Sequence, residues 1–337
     1  MENSYGFKEW SEGQRRIYHR AADLHAAHLE AVRQNRVFKG GMHWKRIKGR
    51  DYLYRYCDRR GHGGSLGPRS PETERQFAEF SRERRRSLEQ LRSLRDLLAE
   101  QARFCRAALL HRVPRTAARI LGQLAQQDFW RENLTVIGGN AIYAYEFAAG
   151  AFLTGQASGD LADPSRNLLT LATEADLPGD ELLALLRQTD RTFKMVDGES
   201  VHAVNRRGFL VRLVRPPQYP RKVNGAGEPA AEAGDFRYLL SSPRFPAVVI
   251  DRNGFPVELA APDPRAFALH KLWLAQRPER DSAKRRRDRT QALAVAGLVL
   301  RFLPQYYFFS ADLRRFPEEL VRQAAPSSDD SELAVEY

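Results

Sequence analysis

The residues best placed to do chemistry stand at Leu134–Asn140, where a short apolar run, Leu134-Thr-Val-Ile137, delivers Gly138-Gly139-Asn140 to the apolar segment Ala141–Gly150. A strand that hands two glycines to a helix N-terminus lets backbone N–H groups approach a phosphate, and the helix dipole favours the anion. Paired glycines also build ordinary tight turns, so a structural reading stands beside the phosphate-binding one. A second Gly-rich stretch, Gly61–Gly67, is followed by no Gly-Lys-Ser/Thr and leads no GxGxxG into a helix, so it reads as a connector. His19, His25 and His28 include an i, i+3 pair, but no acidic third ligand stands at a fitting spacing for a metal. Lys271 falls in the middle of a segment apolar on most sides, where a charge requires a partner.

These residues need elements to position them. Ile17, Ala21, Leu24, Ala27, Leu29 and Val32 recur at helical spacing and predict an amphipathic helix from Ser11 to about Val37. Trp44, Ile47, Tyr52, Tyr54 and Tyr56 flank the turn-like Lys48-Gly49-Arg50, the pattern of a hairpin with an aromatic, basic face. Ser70-Pro71-Glu72-Thr73-Glu74 then opens a long helix reaching about Leu110, with Pro at the first position and acids in the first turn. A further helix is expected near Arg115–Phe129. Strands at Ser200–Val204, Phe209–Val214 and Ala247–Ile250, with helices at 178–189 and 264–276, make the middle of the chain α/β. Arg277–Arg289 reads as a basic loop and helix start, and Gln291–Leu303 as an apolar helix.

The chain therefore divides into a basic helical region with a β-hairpin at 1–130, an α/β domain at 131–260, a helical region at 261–324 and an acidic tail at 325–337 expected to be disordered. The fold class is α+β or α/β: a mixed sheet flanked by helices, between a helical N-terminal region and a helical C-terminal part.

Composition narrows the function classes. The 337 residues carry 54 Lys+Arg against 42 Asp+Glu, a formal charge of +12, and can build two folding units without disulfide support. The surplus is uneven: residues 1–130 carry +12, 131–260 carry −2, 261–325 carry +6 and 326–337 carry −4. Basic flanks of this kind attract nucleic acid, although solvated arginine-rich helix faces give the same count. Cys57 and Cys105 stand in no metal spacing and no disulfide framework, which points to a reducing, cytoplasmic setting. The apolar runs Ala141–Leu153 and Ala292–Leu300 fall short of the ~20 residues of a membrane span, and the N-terminus has no signal-peptide pattern.

The order of parts resembles the nucleotidyltransferase superfamily with the DNA polymerase β-like fold, and within it a bacterial nucleotidyltransferase family. The blocks that carry the resemblance are Trp44–Tyr54, Ser65–Glu74, Val136–Glu146, Pro262–Trp273 and Lys284–Ala292, so that it spans roughly residues 10–320. It implies transfer of a nucleoside monophosphate from an NTP to a hydroxyl acceptor, with Mg²⁺ ions held by an Asp-x-Asp/Glu pair and a third carboxylate. By that resemblance Asp160 and Asp163 are the catalytic, metal-binding pair, and Gly138, Gly139 and Asn140 meet the nucleotide.

The chain departs from the family pattern in two places. In Ser158-Gly159-Asp160-Leu161-Ala162-Asp163 the second acid comes one position late, and on a strand a separation of three puts side chains on opposite faces. A bulge or turn at Ala162 or Pro164 is needed to bring both acids to one metal. Glu174-Ala175-Asp176 has the family spacing but lies in the lead-in to a helix, where acids favour the N-terminus. The third acid is expected in Val211-Arg212-Leu213, where Arg212 stands instead; a cation there repels Mg²⁺ and is suited to pair directly with phosphate. Arg265, Lys271 and Arg287 match positions that contact the triphosphate or stabilise the domain. An active Mg²⁺-dependent transferase, a degenerate homologue that binds nucleotide or nucleic acid, and a docking module for RNA, DNA or protein in the basic N-terminal part all remain open.

Overall fold

The computed structural model describes residues 6–58, 62–154, 167–175, 179–196, 201–215, 236, 239–314 and 316–325. Asp160, Asp163, Asp176 and the acidic tail after Ala325 lie outside the described residues. The strands are β1 (Gly6–Glu9), β2 (Gly41–Ile47), β3 (Arg50–Tyr56), β4 (Gly63–Pro68), β5 (Thr135–Ile137), β6 (Ala151–Thr154), β7 (Leu168–Ala172), β8 (Lys194–Val196), β9 (Val201–Val204), β10 (Leu210–Val214), β11 (Arg244–Ile250) and β12 (Pro256–Pro262). The helices are α1 (Glu12–Asn35), α2 (Pro71–Ala107), α3 (Arg115–Ala125), α4 (Asp128–Asn133), α5 (Ile142–Ala149), α6 (Gly179–Thr189), α7 (Pro264–Ala275), α8 (Ser282–Phe302) and α9 (Glu318–Ala324). No described helix is long and apolar enough to cross a membrane.

The chain forms two compact units, one from Arg16–Leu109 and one from Met1–Arg15 with Leu110–Tyr337. α3 packs on α6 and β12 and so lies in the unit that contains Leu110–Tyr337. The apolar face of α3, rather than the change in charge along the sequence, decides where it belongs.

In Arg16–Leu109 two helices accompany a three-stranded antiparallel sheet, β2-β3-β4. Ser70 caps α2, its hydroxyl accepting from Thr73 N while Thr73 Oγ1 accepts from Ser70 N, and Pro71 supplies the preset first position. α1 and α2 run antiparallel, tied at one end by Ser87 Oγ to Asn35 Oδ1 (3.0 Å) and at the other by Gln101 Nε2 to Ile17 O (2.8 Å). The hairpin turns at Lys48 and Gly49, both with positive φ (48° and 79°), as a two-residue turn between twisted strands demands. β4 corrects the expectation of a plain connector. A Cβ at Gly63 would lie 2.0 Å from Arg55 O, so glycine is there to let two strands approach, and its abundance disguises a strand as a loop.

In the other unit, five strands form a mixed sheet in the order β5-β7-β10-β9-β8, with β7 and β10 parallel and the other neighbours antiparallel. β11 pairs with β12, and β1 with β6. α7 and α8 pack against each other, and α5 lies on β11. The core between them is aromatic: Tyr145 meets Phe267 and Phe245 edge-on at 5.4 and 5.6 Å, and its buried hydroxyl donates to Pro262 O at 2.9 Å. Within the basic stretch Arg277–Arg289, Asp281 caps α8 by accepting from Ala283 N and Lys284 N, so most of that stretch is helix.

Candidate functional site

Strand register assembles the candidate site. Ile137 on β5 pairs with Thr170 on β7, Thr170 with Arg212 on β10, and Arg212 with His202 on β9, so one row of side chains crosses four strands. Neighbouring strands lie roughly 4.8 Å apart, which puts Arg212 two strand spacings, about 10 Å, from the end of β5. Alternation divides the faces. Leu169, Leu171, Val211, Leu213 and Ala203 are buried on one side, and Thr170, Arg212 and His202 are half-buried on the other.

Arg212 is the cation of this row. Its Nε is sealed from solvent and makes no hydrogen bond among the described residues. An orphaned buried donor costs about 1–3 kcal/mol, a cost that an anionic ligand would offset through charge-assisted bonds. The paired glycines follow β5, the edge strand separated from β10 by β7. β5 ends in a single 3₁₀ turn, Gly138–Ala141, before α5 begins, so the glycines precede the helix by one tight turn rather than forming its first residues.

Gly138 holds φ at +70°, a conformation that glycine adopts without strain, and among the described residues a Cβ built on it would meet no atom within 4 Å. Asn140 anchors the turn by donating from Nδ2 to Leu168 O, 2.7 Å away at the start of β7, while its buried Oδ1 has no partner among the described residues. Gly138, Gly139 and Asn140 thus follow the edge strand β5, and Arg212 lies two strands away on the central strand β10.

The other cations predicted for the site have different surroundings. Arg265 is buried and forked onto Asp263 (Nε to Oδ1 3.0 Å, Nη2 to Oδ2 2.7 Å), while its Nη1 donates to Tyr307 O and Ser310 Oγ. Lys271 donates to Asp288 Oδ1 at 2.6 Å, and Arg280 Nε donates to the other oxygen of that carboxylate at 2.6 Å. Burial pushes the Lys271 ammonium below its ordinary range, and the Asp288 charge acts against that shift. Of the two roles the resemblance leaves open for Arg265 and Lys271, this geometry supplies the partners for stabilising the domain. Arg287 is half-buried on α8, with no ion-pair partner among the described residues.

A divalent cation needs carboxylates, and no described carboxylate stands in the Thr170–Arg212–His202 row. Among the described residues no group of three His, Cys, Asp or Glu side chains converges to hold a metal. Glu174 is exposed beyond β7. Glu146, in the helix that follows the glycines, is fully buried and engaged: it accepts from Arg112 Nη2 at 2.7 Å, Arg112 Nε at 3.3 Å and Leu153 N at 2.8 Å. Burial pushes its carboxyl up, and the Arg112 guanidinium pulls it back.

Thr170 and His202 flank Arg212 without having been singled out in the sequence. Alternation in Leu168-Leu-Thr-Leu-Ala172 carried that signal for Thr170, and only the register could supply His202. A family model described as nucleotidyltransferase matches residues 115–312, more than half of the chain and all of the five-stranded sheet. No curated protein and no solved structure matches the chain.

Proposed function

This chain belongs to the nucleotidyltransferase family, and from that premise we propose that Gly138, Gly139 and Asn140 after β5, together with Arg212 on β10, bind the triphosphate of an NTP. One observation carries the reading: Arg212 projects from the half-buried face of β10 with a sealed Nε that no described residue satisfies. A guanidinium presents two parallel N–H groups to a phosphate, and the glycine turn after β5 offers the anion backbone N–H groups. Arg212 then supplies positive charge where the family pattern has a metal-binding acid, so nucleotide binding does not depend on a metal at that strand. Titrating the full chain with each NTP in EDTA and again in Mg²⁺ tests this. Saturable binding in EDTA that Arg212→Ala weakens at least tenfold supports it; binding seen only with Mg²⁺ would contradict it.

The family match favours a second reading, because 115–312 includes Asp160 and Asp163. In it those two acids hold Mg²⁺, and the protein transfers a nucleoside monophosphate to a hydroxyl on RNA, DNA or protein. Mg²⁺ would supply charge neutralisation at the triphosphate, and Arg212 would hold a phosphate oxygen beside it. Labelled ATP, CTP, GTP and UTP decide between the two: incorporation into an acceptor that Asp160→Ala abolishes establishes transfer, and its absence with every nucleotide removes it.

A further inference from the structure

The sheet β2-β3-β4 has two unlike faces. One is occupied: Leu53 is fully buried, Trp44 packs at 5.8 Å from Phe77 of α2, and the Arg55 guanidinium lies 4.7 Å from the Phe80 ring. Strand alternation puts Tyr52, Tyr54 and Tyr56 on the opposite face, where register aligns them with Lys45, His43 and Gly41 on one side and with Pro68, Ser65 and Gly63 on the other. The tyrosines are half-buried and His43, Lys45 and Arg50 exposed. Tyr54 and Tyr56 stack with ring centres 6.1 Å apart and planes 19° off parallel. His43 sits 5.4 Å from Tyr56, and the Lys45 ammonium 5.6 Å from the centre of Tyr54.

Charge on this face has one sign. Lys45 and Arg50 share it with the turn residue Lys48, while Asp51 belongs to the opposite face, where it binds Arg46 and Arg69. No acidic side chain belongs to the outward row of the three strands. An array of aromatic rings rimmed by cations, with Gly63 and Ser65 of β4 aligned beside Tyr56 and Tyr54, matches unpaired bases joined by phosphates. The rings stack on bases and the cations neutralise the backbone. A duplex hides its base faces, and an apolar protein partner has no use for the cationic rim. The tyrosine phenols and Ser65 Oγ add hydroxyls able to pair with a ribose 2′-OH.

We propose that the outward face of β2-β3-β4, centred on Tyr54 and Tyr56, is a docking surface for single-stranded RNA. It lies outside residues 115–312 and is independent of the NTP reading. The test is fluorescence anisotropy of a labelled 12-nucleotide oligouridine RNA with the full chain. Tyr54→Ala with Tyr56→Ala weakens binding about tenfold or more, and Lys45→Glu with Arg50→Glu does the same while flattening the salt dependence. Arg85→Ala with Arg86→Ala, exposed on α2, changes affinity less than twofold, and Arg212→Ala leaves it intact whatever becomes of NTP binding. The same sequence as single-stranded DNA, and a duplex RNA of equal length, bind several-fold more weakly. If the tyrosine pair lowers the melting temperature, the exposed Lys45/Arg50 pair decides by the same criterion. No saturable RNA binding, unchanged affinity in the face variants, or DNA or duplex bound as tightly as single-stranded RNA would overturn the proposal.

Discussion

Replacing Asp288 by Asn separates a stabilising role for Lys271 from a ligand-binding one. Asp288 is 3% exposed and is the shared counter-charge of Lys271, 12% exposed, and Arg280, 20% exposed. Breaking a buried ion pair costs about 3–5 kcal/mol, because the partner charge stays behind without compensation. Against a total stability of roughly 5–15 kcal/mol that is a large loss. Lys271→Met leaves Asp288 bound to Arg280 and is expected to cost under about 2 kcal/mol; adding Asp288→Leu to it removes both charges and recovers most of what Asp288→Asn loses.

The pH dependence gives an independent check. Without Asp288, burial holds the folded-state pKa of Lys271 still further below its ordinary value. The unfolded chain then binds more protons than the folded one, and stability of the variant rises as pH increases toward the ordinary lysine range. Urea unfolding of the wild type and the three variants at pH 7 and pH 9 reads all of this. An Asp288→Asn variant within about 1 kcal/mol of wild type, or one no less stable than Lys271→Met, would refute the reasoning and release Lys271 for a phosphate.

Three further outcomes follow from the same structure. Burial pushes His270 down to about 3, against the ordinary 6.5; between those values only the unfolded chain takes up the proton, so stability falls by up to about 1.4 kcal/mol per pH unit below 6.5. Wild type and His270→Asn compared by urea unfolding at pH 7 and pH 5 should show a shallower fall in the variant, and parallel falls would contradict this. Gly138→Ala places a Cβ clear of the described residues but on a backbone at φ +70°, so thermal melting should show a loss of about 1 kcal/mol, together with weaker NTP binding; unchanged binding would separate the turn from the ligand. Glu146→Gln removes the charge opposite Arg112 in a fully buried site and should cost at least about 2 kcal/mol by chemical denaturation, and a cost below about 0.5 kcal/mol would show that the pair is not structural.

Elements whose side chains repeat with a strong period were legible in the sequence. α1, α2, the β2-β3 hairpin, β10 and α7 stand within a few residues of the ranges read from apolar spacing, capping residues and turns. β4 was not legible, because its glycines meet a packing demand of the neighbouring strand that no local rule contains. β6 and β8 are too short, at four and three residues, to show a period. Gly138, Gly139 and Arg212 could be picked out by residue type and resemblance, but their place on one sheet depends on β5 and β10 both flanking β7, an arrangement that spacing does not encode. The partners of Arg265 and Lys271 were likewise invisible: Asp263 is two residues from its arginine, but Asp288 reaches Lys271 only through the packing of α7 on α8.

Under the proposed reading Arg212, rather than a metal-bound carboxylate at that strand, meets the triphosphate. Calorimetric titration of the wild type, Arg212→Ala and Arg212→Lys with ATP, CTP, GTP and UTP in EDTA tests it most directly. Binding by the wild type to at least one nucleotide, weakened at least tenfold in Arg212→Ala and partly restored by Arg212→Lys, is the expected result. Equal affinity in all three proteins, or binding that appears only when Mg²⁺ is added and vanishes in Asp160→Ala, would contradict it.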